Sequence, residues 1–183
     1  MTSHLLLIGA RASGKSSIGR QVAERLGLPF IDLDDEVLAS FAEPTVKAVW
    51  EAHSEATWRA AEALALDHCL DREKPAVIAT GGGTVMIESA RAAIDAGRAS
   101  GKIVVAYLQV PAAVLVERLT AAEGDRPSLT GEGVAAEVDA VLAARRPTYE
   151  AMADLVVDGA LGTARVVAAI LAGLDGGLDG TGQ

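Results

Sequence analysis

The chain lacks most of the features that mark exported, membrane-bound or nucleic-acid-binding proteins. Its one cysteine in 183 residues cannot form an internal disulfide, which suits a reducing compartment. No apolar run approaches the ~20 residues needed to cross a bilayer, and no basic segment precedes the short apolar run near the N-terminus. A net charge of −9 and an aromatic content of 3% provide neither a broad basic surface nor many stacking platforms. We therefore expect a cytoplasmic protein with no membrane or nucleic-acid partner.

A glycine-rich stretch near the N-terminus is the most informative feature that the chain does have. Residues 9–16, Gly-Ala-Arg-Ala-Ser-Gly-Lys-Ser, fit the pattern G-x-x-x-x-G-K-[ST]. In this phosphate-binding loop, backbone N–H groups surround the phosphates, the lysine reaches the terminal ones and the hydroxyl holds Mg²⁺. The apolar run at 4–8 is typical of a buried strand, and the spacing from 18 to 26 is typical of a helix. This order favours a nucleotide site over a glycine-containing turn without a ligand.

Short apolar strands alternate with helical patterns along the rest of the chain. The predicted strands are residues 4–8, 29–34, 76–79, 103–108 and 155–157, and the predicted helices are 18–26, 36–41, 44–50, 55–70, 111–120, 134–149 and 163–171. This alternation indicates an α/β fold in which helices cover both faces of a five-stranded parallel sheet. Ligands of such sheets bind at the carboxyl ends of the strands. We expect one domain over residues 1–172 and a flexible, glycine-rich tail at 173–183.

Two carboxylates, Asp32 and Asp34, stand at the end of the second predicted strand. If the strand continues through them, both side chains point to the same side of the sheet. Asp32 is the candidate for Mg²⁺, which prefers one or two carboxylates together with waters and phosphates. Asp34 is the candidate that binds, and deprotonates, a substrate hydroxyl. The alternative is that Asp34 or Asp35 only caps the next helix.

Arg59 and a run of three glycines are the next candidates for binding. Arg59 has Glu55 and Glu62 at helical spacing, so it either belongs to a surface ion-pair network or takes a substrate carboxylate with both of its N–H edges. Glycines 81–83 directly follow a predicted strand. Because they carry no side chains, a small ligand can approach their N–H groups closely; a merely flexible turn is the alternative.

Three further arginines complete the set of basic candidates: Arg118, Arg126 and Arg145. Taken singly, each is better explained as a solvated surface charge. Arg126 lies in the turn-rich segment 121–133, which we expect to close as a lid and to neutralise a transferring phosphoryl group. No Cys or His spacing indicates a zinc or iron site, and no serine nucleophile elbow is present. Phosphoryl transfer from a nucleotide is therefore the predicted chemistry.

With these residues assembled, residues 5–172 resemble the shikimate kinase family. The stretches that carry the resemblance are 9–19 (GARASGKSSIG), 30–34 (FIDLD), Trp58-Arg59 with Glu62, 77–83 (VIATGGG), 125–131 (DRPSLTG) and 145–149 (RRPTY). The lid stretch is similar to that of the second bacterial isoenzyme type. Two alternatives stay open: another small-hydroxyl kinase of the gluconate or nucleoside type, and a nucleotide-binding regulatory module without turnover.

The resemblance implies a P-loop fold of nucleoside-monophosphate-kinase type with substrate-binding helices and a lid, and it implies ATP and shikimate as the binding partners. The implied reaction is ATP with shikimate giving ADP and shikimate 3-phosphate, in chorismate and aromatic amino-acid biosynthesis, with Mg²⁺ as cofactor. Our default expectation for the oligomeric state is a monomer. The implied roles are ATP binding for Ala12, Ser13, Gly14, Lys15, Ser16, Ser17, Arg118 and Arg126; shikimate binding for Asp34, Arg59, Gly82 and Arg145; metal binding for Ser16 and Asp32; and catalysis for Asp34, Lys15 and Arg126.

Two positions depart from the family pattern, because Ala12 and Ser54 stand where glycine is usual. A non-glycine residue at position 12 is strained if its φ must be positive. We expect ATP binding to survive with altered affinity.

Overall fold

A five-stranded parallel sheet organises the chain in a computed structural model that describes residues 2–121 and 134–178. The strands are β1 His4–Ile8, β2 Phe30–Asp32, β3 Val77–Ala79, β4 Ile103–Gln109 and β5 Leu155–Asp158. Their order across the sheet is β2-β3-β1-β4-β5, and every neighbouring pair is parallel. The predicted α/β class and the five parallel strands are confirmed.

The central strand β1 is buried along its whole length because both faces of the sheet are covered. Leu6 and Ile8 belong to the core on one face, whereas Leu5 and Leu7 belong to the core on the other. This alternation follows from the two-residue period of a strand. Each such fully buried side chain contributes about 1.5–3 kcal/mol relative to exposure, so the apolar run that marked β1 also anchors the sheet.

Helices cover both faces. They are α1 Lys15–Leu26, α2 Leu33–Leu38, α3 Val46–Ala52, α4 Glu55–Leu70, α5 Glu88–Ala99, α6 Ala112–Ala121, α7 Val134–Met152 and α8 Thr163–Leu178, with a 3₁₀ turn at Thr84–Met86. Apolar residues of α1 and α8 pack on the face that holds Leu5, and those of α4, α5 and α7 pack on the face that holds Leu6. Within the described ranges, no helix combines the length and the apolar character needed to span a membrane.

Three of the differences from the sequence prediction have a clear physical reason or consequence. Strand β2 ends at Asp32, so Asp34 lies in the first turn of α2 and not on the strand. Helix α5 was not predicted, because its sequence contains a single large apolar residue, Ile94, and its other buried residue is an alanine, Ala90. Helix α8 continues to Leu178, so the flexible tail does not begin at residue 173. Gly173 lies so close to β5 that a Cβ atom at position 173 would stand 2.9 Å from Leu155 Cδ2. The glycine therefore permits close packing of α8 on β5.

Candidate active site

The phosphate loop joins β1 to α1, as its sequence predicts. Gly14 has φ 96°, in the left-handed region that favours glycine, and it is the N-cap residue directly before α1. The Lys15 ammonium donates to the carbonyl oxygens of Gly9 at 2.9 Å and Ala10 at 2.8 Å, and lies 3.4 Å from Ser13 Oγ. Lys15 is only 8% exposed. The phosphate loop thus curves around the Lys15 ammonium group. In the sequence pattern, this lysine is the residue that contacts the terminal phosphates of the nucleotide.

Both positions that depart from the family pattern have a positive φ. Ala12 has φ 63° and Ser54 has φ 129° with ψ 163°. They are the non-glycine residues with positive φ in the described part of the chain. Such conformations cost about 1–3 kcal/mol for a residue with a side chain. The strain expected at Ala12 is therefore present, and a second strained residue lies directly before α4, the helix that carries Arg59.

Ser16 and Asp32 meet at the carboxyl ends of β1 and β2. Ser16 Oγ donates to Asp32 Oδ2 at 2.6 Å, and Asp32 Oδ1 accepts from the Asp34 backbone N–H at 3.2 Å. Asp32 therefore caps α2, and the residue that caps this helix is neither Asp34 nor Asp35. A hydroxyl beside a carboxylate suits Mg²⁺, which prefers oxygen ligands and keeps waters and phosphate oxygens in its remaining positions. Among the described residues, no group of three His, Cys, Asp or Glu side chains gathers into a site for another metal.

Arg118 joins the phosphate loop to the segment that follows β5. Its Nη1 donates to the carbonyl oxygens of Ala12 at 3.2 Å and Ser13 at 3.3 Å, and its Nη2 donates to Gly159 at 3.1 Å. A cavity opens beside these bonds, lined by Ala12, Ser13, Gly14, Ser17, Ile18, Arg118, Gly159, Leu161 and Thr163. The structure thus brings Arg118, the loop and the chain after Asp158 together at one cavity.

A second cavity lies on the other side of the loop and collects the predicted acceptor residues. It is lined by Arg11, Asp34, Val46, Trp50, Trp58, Arg59, Gly81, Gly82, Gly83 and Arg145. A Cβ on Gly82 would stand 3.0 Å from the Arg11 backbone nitrogen, so the glycine turn packs directly on the phosphate loop. The sequence analysis missed Arg11, Val46 and Trp50. Arg11 occupies a variable position of the loop pattern, and no spacing marks the other two.

Arg59 is both ion-paired and part of the cavity wall. Its Nη1 donates to Glu62 Oε2 at 2.7 Å, and its Nη2 donates to Glu55 Oε1 at 3.0 Å. Burial lowers the pKa of Arg59, but the pairs with Glu62 and Glu55 outweigh burial and raise it above its usual value. The Glu62 carboxylate is fully buried and also accepts a short bond from the Thr84 hydroxyl. Arg59 therefore belongs to an ion-pair network and also lines the cavity, so its ion pairs are compatible with a role in binding a substrate carboxylate.

The glycine turn makes room for this ion pair. A Cβ on Gly83 would stand 2.6 Å from Arg59 Nη1, and a Cβ on Gly81 would stand 2.9 Å from Asp34 Oδ1 and collide with Glu62. Side chains at these two positions would therefore displace the charged groups. The absence of side chains in this turn therefore leaves room for the charged groups as well as for a ligand, and the turn is not merely flexible.

Two side chains of α7 converge on the Gly82 carbonyl. Arg145 Nη1 donates to it at 2.9 Å and the Tyr149 hydroxyl donates to it at 2.5 Å. Burial raises the pKa of Tyr149 to about 12, so the hydroxyl keeps its proton through the neutral range. The sequence analysis gave Tyr149 no role, because nothing in the local pattern links it to a residue 67 positions away.

Comparison with known proteins assigns this arrangement to a family. A model described as shikimate kinase matches residues 11–175. The chain belongs to the shikimate kinase family. A shikimate kinase 2 from Yersinia pestis is 36% identical over 178 residues, which make up 96% of this chain and 98% of that protein. Family membership makes the protein a kinase that transfers a phosphoryl group from ATP, and the similarity to the second isoenzyme type is confirmed.

Solved structures separate shikimate kinases from the gluconate alternative. A shikimate kinase from Acinetobacter baumannii in complex with shikimate matches with a TM-score of 0.85 at 27% identity, over 100% of this chain and 97% of that chain. A gluconokinase from Sinorhizobium meliloti matches with a TM-score of 0.60 at 25% identity, over 95% of this chain and 92% of that chain. The backbone therefore follows the shikimate kinase more closely.

One predicted site residue has no structural account. Arg126, together with most of the predicted lid at 121–133, lies outside the described residues.

Proposed function

We propose that this protein transfers the γ-phosphoryl group of ATP to the 3-hydroxyl of shikimate, giving shikimate 3-phosphate in aromatic amino-acid biosynthesis. The observation that carries the proposal is the pair of cavities on either side of the phosphate loop. One cavity has the loop amides for a nucleotide. The other combines arginines with a carboxylate, a set suited to a small polyol that bears a carboxyl group.

On the donor side, the loop amides and Lys15 would bind the ATP phosphates, and Arg118 with the chain after Asp158 would flank the base. The buried Lys15 ammonium exchanges its loop carbonyl partners for phosphate oxygens, so little reorganisation is needed. Ser16 and Asp32 would hold Mg²⁺. When bound, Mg²⁺ neutralises charge on the phosphate oxygens.

On the acceptor side, Arg59 and Arg145 would bind the shikimate carboxylate, and the Gly82 turn would contact the ring hydroxyls. Two guanidinium groups are useful here because an anionic acceptor must approach anionic ATP in a protein of net charge −9. Without local positive charge, electrostatic repulsion would oppose the encounter.

Asp34 would orient the 3-hydroxyl and accept its proton. It lies in the first turn of α2, two residues after Asp32, and its backbone N–H donates to the Asp32 carboxylate that also accepts from Ser16. The acceptor base and the metal ligand therefore lie at the same helix N-terminus. Such placement supplies most of the acceleration in phosphoryl transfer, which depends on positioning and electrostatics more than on covalent chemistry.

We include three predictions from the sequence in this proposal. Arg126 acts from the lid at 121–133 on the transferring phosphoryl group, the chain through the end of α8 forms one kinase domain, and the protein works as a cytoplasmic monomer.

A coupled assay for ADP tests the proposal. With ATP and Mg²⁺, we expect ADP release on addition of shikimate and none on addition of gluconate. Replacement of Asp34 by Asn should lower kcat/KM for shikimate by about 10²–10⁴-fold, the usual contribution of a general base. The matched control is Asp35→Asn, which removes the same charge from the exposed neighbouring position and should leave turnover unchanged.

Two outcomes would reject the proposal. Turnover of gluconate without turnover of shikimate would support the other small-hydroxyl kinase. Binding of ATP without turnover of either acceptor would support the regulatory module.

A further inference from the structure

Tyr149 is the buried polar residue beside the acceptor cavity for which the proposed mechanism has no use. It is fully buried, it does not line the cavity, and its hydroxyl donates to the Gly82 carbonyl at 2.5 Å. Its ring stacks on that of Tyr107, with ring centroids 5.1 Å apart and planes 26° from parallel. The ring is therefore held between the sheet and α7, and the hydroxyl has a fixed position.

The bond to Gly82 also sets the direction of the next amide group. The carbonyl of Gly82 and the N–H of Gly83 belong to one planar trans peptide and point in opposite directions. A donor that fixes the carbonyl therefore fixes the N–H of Gly83 as well. Both glycines line the acceptor cavity, and because they have no side chains their φ and ψ angles are restricted less than those of other residues.

The two donors to the Gly82 carbonyl differ in their freedom. Arg145 lines the cavity and has a long, flexible side chain with five N–H donors, so it can turn toward a bound carboxylate. Tyr149 is buried and clamped by Tyr107, so it keeps its bond whatever Arg145 does. A bound substrate can therefore take Arg145 away from the Gly82 carbonyl, but it cannot take Tyr149 away.

We propose that Tyr149 is a positioning residue for the acceptor: its buried hydroxyl holds the Gly82–Gly83 peptide in the orientation that binds shikimate, without touching the substrate. This inference rests on the proposed function. It assigns a role to the last residue of the 145–149 stretch and explains why a tyrosine, with a donor at the end of a rigid ring, serves there.

Tyr107 provides a matched control in the same ring pair. It is 1% exposed, and its buried hydroxyl makes no hydrogen bond of good geometry within the described residues. Burial raises its pKa, and the nearby Arg146 guanidinium offsets only part of that effect. Replacing either tyrosine by phenylalanine removes one buried hydroxyl and keeps the stacked ring. Only the Tyr149 change removes the bond to Gly82.

The test compares steady-state kinetics of the wild type, Tyr149→Phe and Tyr107→Phe. In Tyr149→Phe, we expect KM for shikimate to rise about tenfold, equivalent to about 1.4 kcal/mol. We expect kcat to stay within about twofold and KM for ATP to stay unchanged, since the lost contact serves ground state and transition state alike. Tyr107→Phe should match the wild type. Equal values of KM for shikimate in the two variants, or an equal rise in both KM values of Tyr149→Phe, would overturn the inference.

Amide NMR spectra make the inference testable apart from turnover. In Tyr149→Phe, the resonances of Gly82 and Gly83 should shift or broaden, and in Tyr107→Phe they should stay in place. Unchanged glycine resonances in Tyr149→Phe would overturn the positioning role. A wild type without shikimate turnover would instead reject the proposed function, and the glycine resonances would still decide whether Tyr149 fixes the peptide.

Discussion

Replacing Ser54 by glycine should stabilise the protein, although it deletes a helix cap. Ser54 is the N-cap residue directly before α4, and its φ of 129° and ψ of 163° lie in a region that is essentially restricted to glycine. Its side chain accepts a hydrogen bond from the Thr57 N–H at 3.3 Å, the upper end of the useful range. The residue therefore combines a strained backbone with a long capping bond, and the two effects oppose each other on substitution.

The magnitudes favour relief of strain. The backbone conformation costs about 1–3 kcal/mol. Replacing a serine cap by glycine loses only a few tenths of a kcal/mol, and the greater freedom of glycine in the unfolded chain costs roughly 0.4–1 kcal/mol. The balance is a gain of about 1 kcal/mol in the free energy of unfolding. For a domain of this size, that gain raises Tm by about 2–4 °C.

Urea and thermal unfolding of Ser54→Gly and Ser54→Ala measure the two effects separately. Ser54→Ala loses the cap and keeps the strain, so its free energy of unfolding should fall by about 1 kcal/mol. Ser54→Gly should move in the opposite direction with an unchanged m-value, which shows that the denatured state is the same. If both variants lost the same stability, the positive φ would carry no cost and the reasoning would fail.

Two further substitutions test the glycine requirements of the donor and acceptor sides. Ala12→Gly should also relieve a positive φ and raise the free energy of unfolding by about 1 kcal/mol, while lowering KM for ATP; an unchanged KM with unchanged stability would show that Ala12 is not strained. Gly83→Ala should lower kcat/KM for shikimate by about 10²-fold, the loss typical of a misplaced binding group, because its Cβ would stand 2.6 Å from Arg59 Nη1. Retained activity in Gly83→Ala would show that Arg59 can bind from another position.

The features predicted correctly are those encoded by residues close together in sequence. The phosphate loop, β1 and the bounds of α4 follow from local patterns of glycine and apolar residues. The end of β2 was misplaced because Asp32 finishes a strand and caps a helix at once, and spacing cannot distinguish a carboxylate on a strand from one in a helical first turn. Each correct prediction depended only on residues adjacent in sequence, whereas this error occurred at the junction between a strand and a helix.

The parts of the site that were missed depend on contacts between distant residues. Tyr149 acts on a carbonyl 67 residues away, and Trp50 becomes part of the cavity only when α3 packs beside α4. Its ring lies under the Arg59 guanidinium, with the guanidinium carbon 5.7 Å from the ring centroid. The spacing of apolar residues in the sequence does not predict such a contact between two helices. The sequence predicted Asp34, Arg59 and Arg145 as charged residues of the cavity but not Arg11, and the fold was needed to find which residues hold them in place.

The two ion pairs of Arg59 differ in strength, which bears on the proposal that this arginine binds a substrate carboxylate. Glu62 is fully buried and holds Nη1, whereas Glu55 is 51% exposed and bonds to the Nε and Nη2 edge. An exposed pair contributes only about 0.2–1 kcal/mol, while removal of a buried partner costs about 3–5 kcal/mol. A carboxylate that approaches Arg59 therefore competes with Glu55 and not with Glu62. The buried pair fixes the guanidinium in the cavity wall, and the weak pair leaves its two-donor edge open to exchange.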